Sequence, residues 1–400
     1  MRRGFFYKKQ CGIRRTNPAR LIWWLIAKKS KILYPRPMVS IAFAGGGTGG
    51  HIYPGLAIAS WLKKILPCRV FWIGSKGGME RVIVEKAGME FFGIPSGKLR
   101  RYFSLRNVSD VFRVMAGFFA ARRILKREKP GLLFSKGGFV SVPPCVAAAS
   151  LGIPVFTHES DYSPGLATRL NTRFAEKIFI PYKESAAFFP GRAGEKLCVS
   201  GNPIRPEFAE ADPAKGRAFL GLGEGERILL VLGGSLGSRE INDLVRSCLP
   251  ELTRYYTVVH QTGEAVAPNT APDFTVGERY RSFAYFGEEI PHLIAAAELV
   301  LCRSGAGTIW ECASLHKPMV LIPFRGSGTR GDQVENARLF QEAGAAICFT
   351  GNAAELSQLI VSLAEDPGRR KSMGEAKIAV SNAAAFIADE IKRMIGSENE

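Results

Sequence analysis

Everything else in this chain has to accommodate one stretch, Phe43-Ala44-Gly45-Gly46-Gly47-Thr48-Gly49-Gly50-His51-Ile52-Tyr53-Pro54. Val39 to Ala44 is apolar without alternation, as expected of a parallel strand covered on both faces. Pro54 opens a helical run through Lys64, and the glycines between them direct backbone N–H groups and a helix N-terminus at one point. Such a turn suits a phosphate or diphosphate. The competing reading is a tight strand-to-helix connection without a ligand, which needs the same glycines. His51 favours the first, because it stands at the lip of the turn and not on the apolar face of the helix.

The same grammar recurs. Apolar runs at Val39–Ala44, Arg69–Ile73, Gly131–Phe134, Ile153–Thr157 and Lys177–Ile180 alternate with helical patterns, which predicts an α/β fold with a mainly parallel sheet between helices. A proline- and glycine-marked crossing, Val199 to Pro206, leads into a restart at Ile228–Leu232, a Gly233–Gly237 turn and a helix from Ser238. Further strands are expected at Tyr256–His260, Leu299–Cys302, Met319–Ile322 and Ala346–Phe349, then helices at Ala353–Glu365, Gly368–Ser381 and Ala383–Ile395. The economical architecture is two Rossmann-like domains facing a cleft. The expected organisation is a basic extension (1–37), an N-terminal domain (38–202), a C-terminal domain (203–375) and a last helix returning toward the N-terminal domain (376–400). Four hundred residues are enough for two cores.

The formal charge of +18 is concentrated early: the segment before Pro37 holds eleven Lys or Arg and no Asp or Glu. Leu21 to Ala27 within it is too short to span a bilayer. Trp23 and Trp24 beside lysines suit an anionic headgroup layer, an unstructured extension being the alternative. No recognition module accompanies the charge, so nucleic acid is not expected as a partner. The segment Lys98 to Lys129 carries ten basic residues against Asp110 and Glu128. Its Phe112, Phe118 and Phe119, rimmed by Arg122 and Arg123, predict contact with an anionic membrane surface, against the reading of an internal helix with a solvated basic face. The eight cysteines show no C-x-x-C pair and read as buried thiols, and the histidines show no metal-ligand spacing.

Two turns at strand ends in the first half, Gly46-Gly47 and Gly137-Gly138, could hold the two phosphates of a diphosphate. Neither matches G-x-x-x-x-G-K-[ST], and no acidic residue ends the Arg69–Ile73 strand, so a triphosphatase and a dinucleotide dehydrogenase both lose ground. His158-Glu159-Ser160-Asp161 should share that crest, where an imidazole or carboxylate could take a proton from a hydroxyl. In the second half, Ser235, Glu311, Asp332, Gln333 and Asn336 are placed to meet phosphate, ribose and sugar hydroxyls, helix capping being the plainer account.

Gly46-Gly47-Thr48-Gly49-Gly50-His51-Ile52-Tyr53-Pro54, Ser135-Lys136-Gly137-Gly138-Phe139-Val140-Ser141, His158-Glu159, Gly201-Asn202-Pro203-Ile204-Arg205, Gly233-Gly234-Ser235-Leu236-Gly237, Arg303-Ser304-Gly305-Ala306 and Asp332-Gln333-Val334-Glu335-Asn336-Ala337 occur in this order. With them the chain, from Val39 onward, resembles the UDP-N-acetylglucosamine:lipid I transferase family (undecaprenyldiphospho-muramoylpentapeptide beta-N-acetylglucosaminyltransferases) of bacterial peptidoglycan synthesis. The resemblance implies a GT-B glycosyltransferase that moves N-acetylglucosamine from UDP-N-acetylglucosamine to the C4 hydroxyl of lipid I, with inversion, forming lipid II and UDP. The alternatives are a related GT-B transferase with another nucleotide sugar or lipid acceptor, and a membrane scaffold that binds nucleotide without turnover.

Carried over residue by residue, the resemblance puts Thr48, Gly49, Gly50, Asp161, Arg205, Ser235, Gly287, Glu311 and Gln333 at the donor, with backbone around Phe286 and Gly287 against uracil. Gly46, Gly47, Gly137 and Gly138 would face the acceptor diphosphate. His51 is the first candidate for general base, with Glu159 or Asp161 as helper or rival. Some members of the family have Gln-Asn where this chain has Ser160-Asp161, so an amide's donor role does not transfer directly. No obligatory cofactor and no protein-held metal are implied, although a divalent cation could neutralise the acceptor diphosphate. The implied location is peripheral, on the cytoplasmic face of the cell membrane, with cell-wall synthesis proteins as further candidate partners.

Overall fold

Unalternating apolar runs become the central strands of two parallel sheets. The computed structural model describes residues 38–97, 106–234, 237–263, 279–326, 331–376, 378 and 382–397; the basic extension 1–37 and Ser235 lie outside them. In the first sheet, β1 (Val39–Ala44), β2 (Cys68–Ser75), β3 (Glu90–Ile94), β4 (Leu132–Ser135), β5 (Val155–His158), β6 (Lys177–Ile180) and β7 (Leu197–Val199) run in the order β3-β2-β1-β4-β5-β6-β7. The second sheet comprises β8 (Ile228–Leu232), β9 (Thr257–Gln261), β10 (Tyr280–Phe283), β11 (Leu299–Cys302), β12 (Met319–Leu321) and β13 (Ala346–Cys348), ordered β10-β9-β8-β11-β12-β13. Every pairing in both sheets is parallel. Each sheet therefore reverses its winding once, between β1 and β4 and between β8 and β11, and ligands of such sheets bind at the strand ends beside that reversal.

Three strands went unseen in the sequence, β3, β7 and β10, and all three are sheet edges. An edge strand is covered on one side only, so its residues are mixed; β10, Tyr280–Phe283, contains no fully buried residue. The expected helix Gly368–Ser381 is shorter, Pro367–Gly374, with Asp366 capping it through Arg369 N at 2.8 Å.

The C-terminal helix Ala383–Ser397 packs against the helix Tyr53–Ile65 of the first half. Ala384, Ile387, Ala388, Ile391 and Ile395 are buried with Ile41, Phe43, Ile58 and Trp72, a stripe at helical spacing. Each isoleucine so buried contributes about 1.5–3 kcal/mol. Lys177 on β6 pairs with Glu390 of this helix, fastening it over the sheet. Among the described residues no helix is long and apolar enough to cross a membrane.

Candidate active site

The turns after β1 and β4 meet face to face at the first reversal. Gly138 has φ +75°, and a Cβ placed there would stand 2.4 Å from the Gly46 carbonyl oxygen. Only glycine allows both the backbone conformation and this approach. His51 sits in the same junction: its Nδ1 lies 3.2 Å from the Lys136 carbonyl. A carbonyl only accepts, so Nδ1 carries the proton and Nε2 the basic lone pair. Thr48, Gly49 and Gly50 form the outer lip, and Trp72 Nε1 braces the turn from beneath by donating to the Gly45 oxygen at 2.9 Å. Glu80, fully buried beside Gly46, accepts from Ser75 N at 2.7 Å and Ser75 Oγ at 2.5 Å.

The loop after β5 shares this crest. Both oxygens of the buried Glu159 are engaged: Oε1 accepts from Ser160 N (2.9 Å) and Asp161 N (3.2 Å), Oε2 from Gly165 N (3.0 Å) and Thr168 Oγ1 (2.7 Å). Glu159 thus organises the loop with the lone pairs that proton transfer would need. His158 belongs to β5 itself, fully buried, donating from Nε2 to the Gly201 oxygen at 3.1 Å. Burial, followed by the Lys136 charge, holds its pKa well below the usual imidazole value, so it is a neutral strut. Asp161 Oδ1 accepts from Asn336 Nδ2 at 3.3 Å, Tyr162 N donates to Asn336 Oδ1 at 3.2 Å, and Ser163 Oγ donates to Asp332 Oδ1 at 2.9 Å. These bonds join the loop to the helix Asp332–Glu342 of the second half.

Across the cleft, Arg205 Nε donates to Glu311 Oε1 at 2.7 Å, and the guanidinium carbon lies 5.1 Å from the centre of the Tyr53 ring. Burial pushes the Glu311 carboxyl above the ordinary carboxylate value while Arg205 pulls it back, and the ion pair is the reason the carboxylate tolerates the site. Glu311 lies on the helix Ala306–Ser314, directly after β11. Gln333 Oε1 accepts from Phe324 N at 2.9 Å, and Ser304 Oγ donates to the Gln333 oxygen at 2.7 Å. Gly287 N donates to Glu289 Oε2 at 3.0 Å, and Gln261 ties the neighbouring Phe286 N (3.3 Å) to the Gly234 oxygen (2.8 Å). Gly237 is closely packed, since a Cβ there would stand 2.1 Å from the Thr262 oxygen, while Ser235 lies outside the described residues.

Two expectations change. On the helix Arg106–Glu128, Phe112, Met115 and Phe119 are exposed on one face, but Phe118 turns inward against the first sheet's core. Helical geometry turns adjacent residues by about 100°, so Phe118 is half-buried while its ring meets that of the exposed Phe119 edge-on, with centroids 5.2 Å apart. Arg123 is exposed, whereas Arg122 is half-buried and donates to Ser150 Oγ at 3.3 Å. The seven described cysteines are all free, yet Cys68, Cys198 and Cys348 are only half-buried. Among the described residues no cluster of three or more His, Cys, Asp or Glu could hold a metal ion. Lys136 and Gln261 gained weight only from the structure, and so did the link that Asn336 makes to the loop after β5. Lys136 and Asn336 lay in quoted motifs, but nothing in a single sequence says that a lysine after an apolar strand is buried.

The profile of the glycosyltransferase family 28 N-terminal domain matches residues 41–180, and that of the glycosyltransferase family 28 C-terminal domain matches residues 228–393. A Treponema denticola protein named UDP-N-acetylglucosamine–N-acetylmuramyl-(pentapeptide) pyrophosphoryl-undecaprenol N-acetylglucosamine transferase is 43% identical over 392 residues, covering 91% of this chain and 100% of that one. A Clostridium perfringens protein of the same name is 38% identical over 355 residues, covering 88% and 98%. Among solved structures, Acinetobacter baumannii MurG superposes with a TM-score of 0.67 at 24% identity, covering 89% of this chain and 100% of that one. A UDP-GlcNAc 2-epimerase from Neisseria meningitidis shares the fold at a TM-score of 0.63 and 15% identity, covering 89% and 100%. The chain has the GT-B fold and belongs to glycosyltransferase family 28, in the family of UDP-N-acetylglucosamine–N-acetylmuramyl-(pentapeptide) pyrophosphoryl-undecaprenol N-acetylglucosamine transferases.

Proposed function

We infer that this chain transfers N-acetylglucosamine from UDP-N-acetylglucosamine to the C4 hydroxyl of the muramoyl sugar of lipid I, with inversion, releasing lipid II and UDP. The observation that carries the reading is the seating of His51 at the junction of two glycine turns, on the face of the cleft that Tyr53 shares with the Arg205–Glu311 pair. In the proposed step, the C4 hydroxyl loses its proton to His51 Nε2 as its oxygen bonds to C1 of the sugar. The C1–O bond to the diphosphate breaks, and UDP leaves with that electron pair. Asp161, rather than the fully engaged Glu159, is the carboxylate at the crest that can assist.

Arg205 uses one donor on Glu311, and a guanidinium has five, so its fork can also meet a phosphate while Glu311 Oε2 accepts from a ribose hydroxyl. Thr48, Gly49, Gly50, Ser235, Gly287 and Gln333 complete the proposed donor site; Gly46, Gly47, Gly137 and Gly138 offer backbone to the acceptor diphosphate. No cofactor is required by this reading, and a divalent cation would enter with the acceptor diphosphate and not on a carboxylate cage of the protein. The exposed Phe112, Met115 and Phe119 with Arg123 support peripheral attachment to an anionic membrane, on the cytoplasmic face of the cell membrane.

The test is incubation of the protein with UDP-N-acetylglucosamine and purified lipid I. Mass spectrometry should find one N-acetylhexosamine added to the polyprenyl product together with free UDP. Donor hydrolysis alone, or transfer only to a different lipid, would contradict the reading.

A further inference from the structure

The molecule buries one lysine at its reaction crest. Lys136 follows β4, between the two glycine turns, and is 1% exposed. Its Nζ donates to Ser160 Oγ at 2.7 Å, its carbonyl accepts from His51 Nδ1 at 3.2 Å, and Glu159 and Asp161 supply the opposing charge. An ammonium is sealed from water only where carboxylates compensate it. Glu159 is committed to three donors of its own loop and to Thr168 of the helix Leu166–Asn171, whereas Asp161 reaches across to Asn336. Asn336, itself fully buried, also donates to the Ser304 oxygen at 3.2 Å and lies three positions after Gln333 on the same helix. A chain of contacts therefore runs from the acceptor-side turn, through Lys136, Ser160 and Asp161, to the helix assigned to the donor sugar.

We propose that Lys136 is a positioning residue whose buried ammonium, bonded to Ser160 Oγ and facing the charges of Glu159 and Asp161, locks the 159–163 loop and through Asn336 sets the helix Asp332–Glu342 for the nucleotide sugar. The proposal rests on the donor assignment above but is read by binding alone, so its failure is separable from a failure of transfer. The charges facing Lys136 are Glu159 and Asp161 from the loop after β5, with neutral His158 on β5 and His51 from the turn after β1. Burial lowers the Lys136 pKa to about 8, so the lock carries its charge at neutral pH and loses it within reach of a binding titration.

The test is calorimetric titration of UDP-N-acetylglucosamine into the full chain and its variants between pH 6.5 and 9.5. Lys136→Met should weaken binding about tenfold at pH 7, the effect of stranding a buried charge partner. Asp161→Asn should weaken it comparably, although asparagine can keep the bond from Asn336. The double variant Lys136→Met/Asp161→Asn, which leaves Glu159 as the carboxylate facing the site, should bind more tightly than either single variant. Binding by the original protein should weaken above pH 8, a limb that Lys136→Met lacks and that Lys136→Arg moves upward. Wild-type affinity in Lys136→Met, or losses that simply multiply in the double variant, would overturn the proposal. If Lys136→Met fails to fold, the double variant decides: weak binding by a folded double variant, or its failure to fold, also overturns it.

Discussion

The two halves offer the same backbone solution twice and load it differently. Both sheets reverse direction beside their first strand, and both put a glycine turn there with no room for a side chain: Gly138 against Gly46, Gly237 against Thr262. The first crest then carries an imidazole with an oriented lone pair and a lysine sealed behind it, whereas the second carries the Arg205–Glu311 pair and the amide of Gln333. On the proposed reading, both turns offer donors to phosphate, and the side chains divide the work, one side deprotonating a hydroxyl and the other holding a nucleotide.

The strongest way to break this division is to deform one turn at a time. Gly138→Ala forces alanine to φ +75° and within 2.4 Å of the Gly46 oxygen, so lipid II formation should be lost and stability should fall by more than about 2 kcal/mol, with UDP affinity largely kept. Gly237→Ala, at φ +75° and 2.1 Å from the Thr262 oxygen, should instead weaken UDP binding. Parallel melting curves and UDP titrations read both, and equal damage to UDP binding in the two variants would erase the distinction.

A gentler probe is Glu311→Ala, expected to cost about 1–3 kcal/mol of UDP-sugar affinity by stranding a ribose hydroxyl and the Arg205 charge. Lipid I affinity should hardly change, and unchanged UDP affinity would remove the proposed role. The membrane face sharpens the asymmetry further, because only the first half carries the proposed lipid surface. Phe112→Ser/Phe119→Ser should reduce flotation with anionic liposomes severalfold, and adding Arg123→Glu should reduce it again. Phe118→Ser should chiefly destabilise the fold, since that ring packs inward. A further effect, one of pH, is shared by the halves. His158 and His260 are both buried and neutral, with His260 lowered to about 4 by burial and then by Arg246. Unfolded imidazoles bind protons near pH 6.5 and these do not, so stability is full above that value and lost as the pH falls toward 4. The loss amounts to about 3 kcal/mol at most for His260. Melting temperatures between pH 7 and 4.5 should fall, and His260→Asn should flatten the slope.

Much of this was legible in the residues because the central strands are covered on both faces and say so in unbroken apolar runs, as Ile228–Leu232 does. The edges β3, β7 and β10 were illegible for the converse reason: half-covered strands mix polar with apolar residues and lose their signature. At the site, the glycine turns and His51 announced themselves through turn chemistry. Composition could not tell that Glu159 would be absorbed by four donors of the segment 160–168, that Phe118 would pack partly against the core while Phe119 beside it is exposed, or that Lys136 would be buried. Those outcomes depend on which groups the third dimension brings within 3 Å, and periodicity carries no such information.

The division of labour meets its most direct test in His51→Ala, with lipid II formation timed at saturating UDP-N-acetylglucosamine and lipid I and UDP affinity titrated on the same preparation. The expected result is a kcat lowered by about 10²–10⁴-fold with UDP affinity unchanged. Near-original turnover, or a loss explained by weakened UDP binding, would contradict it.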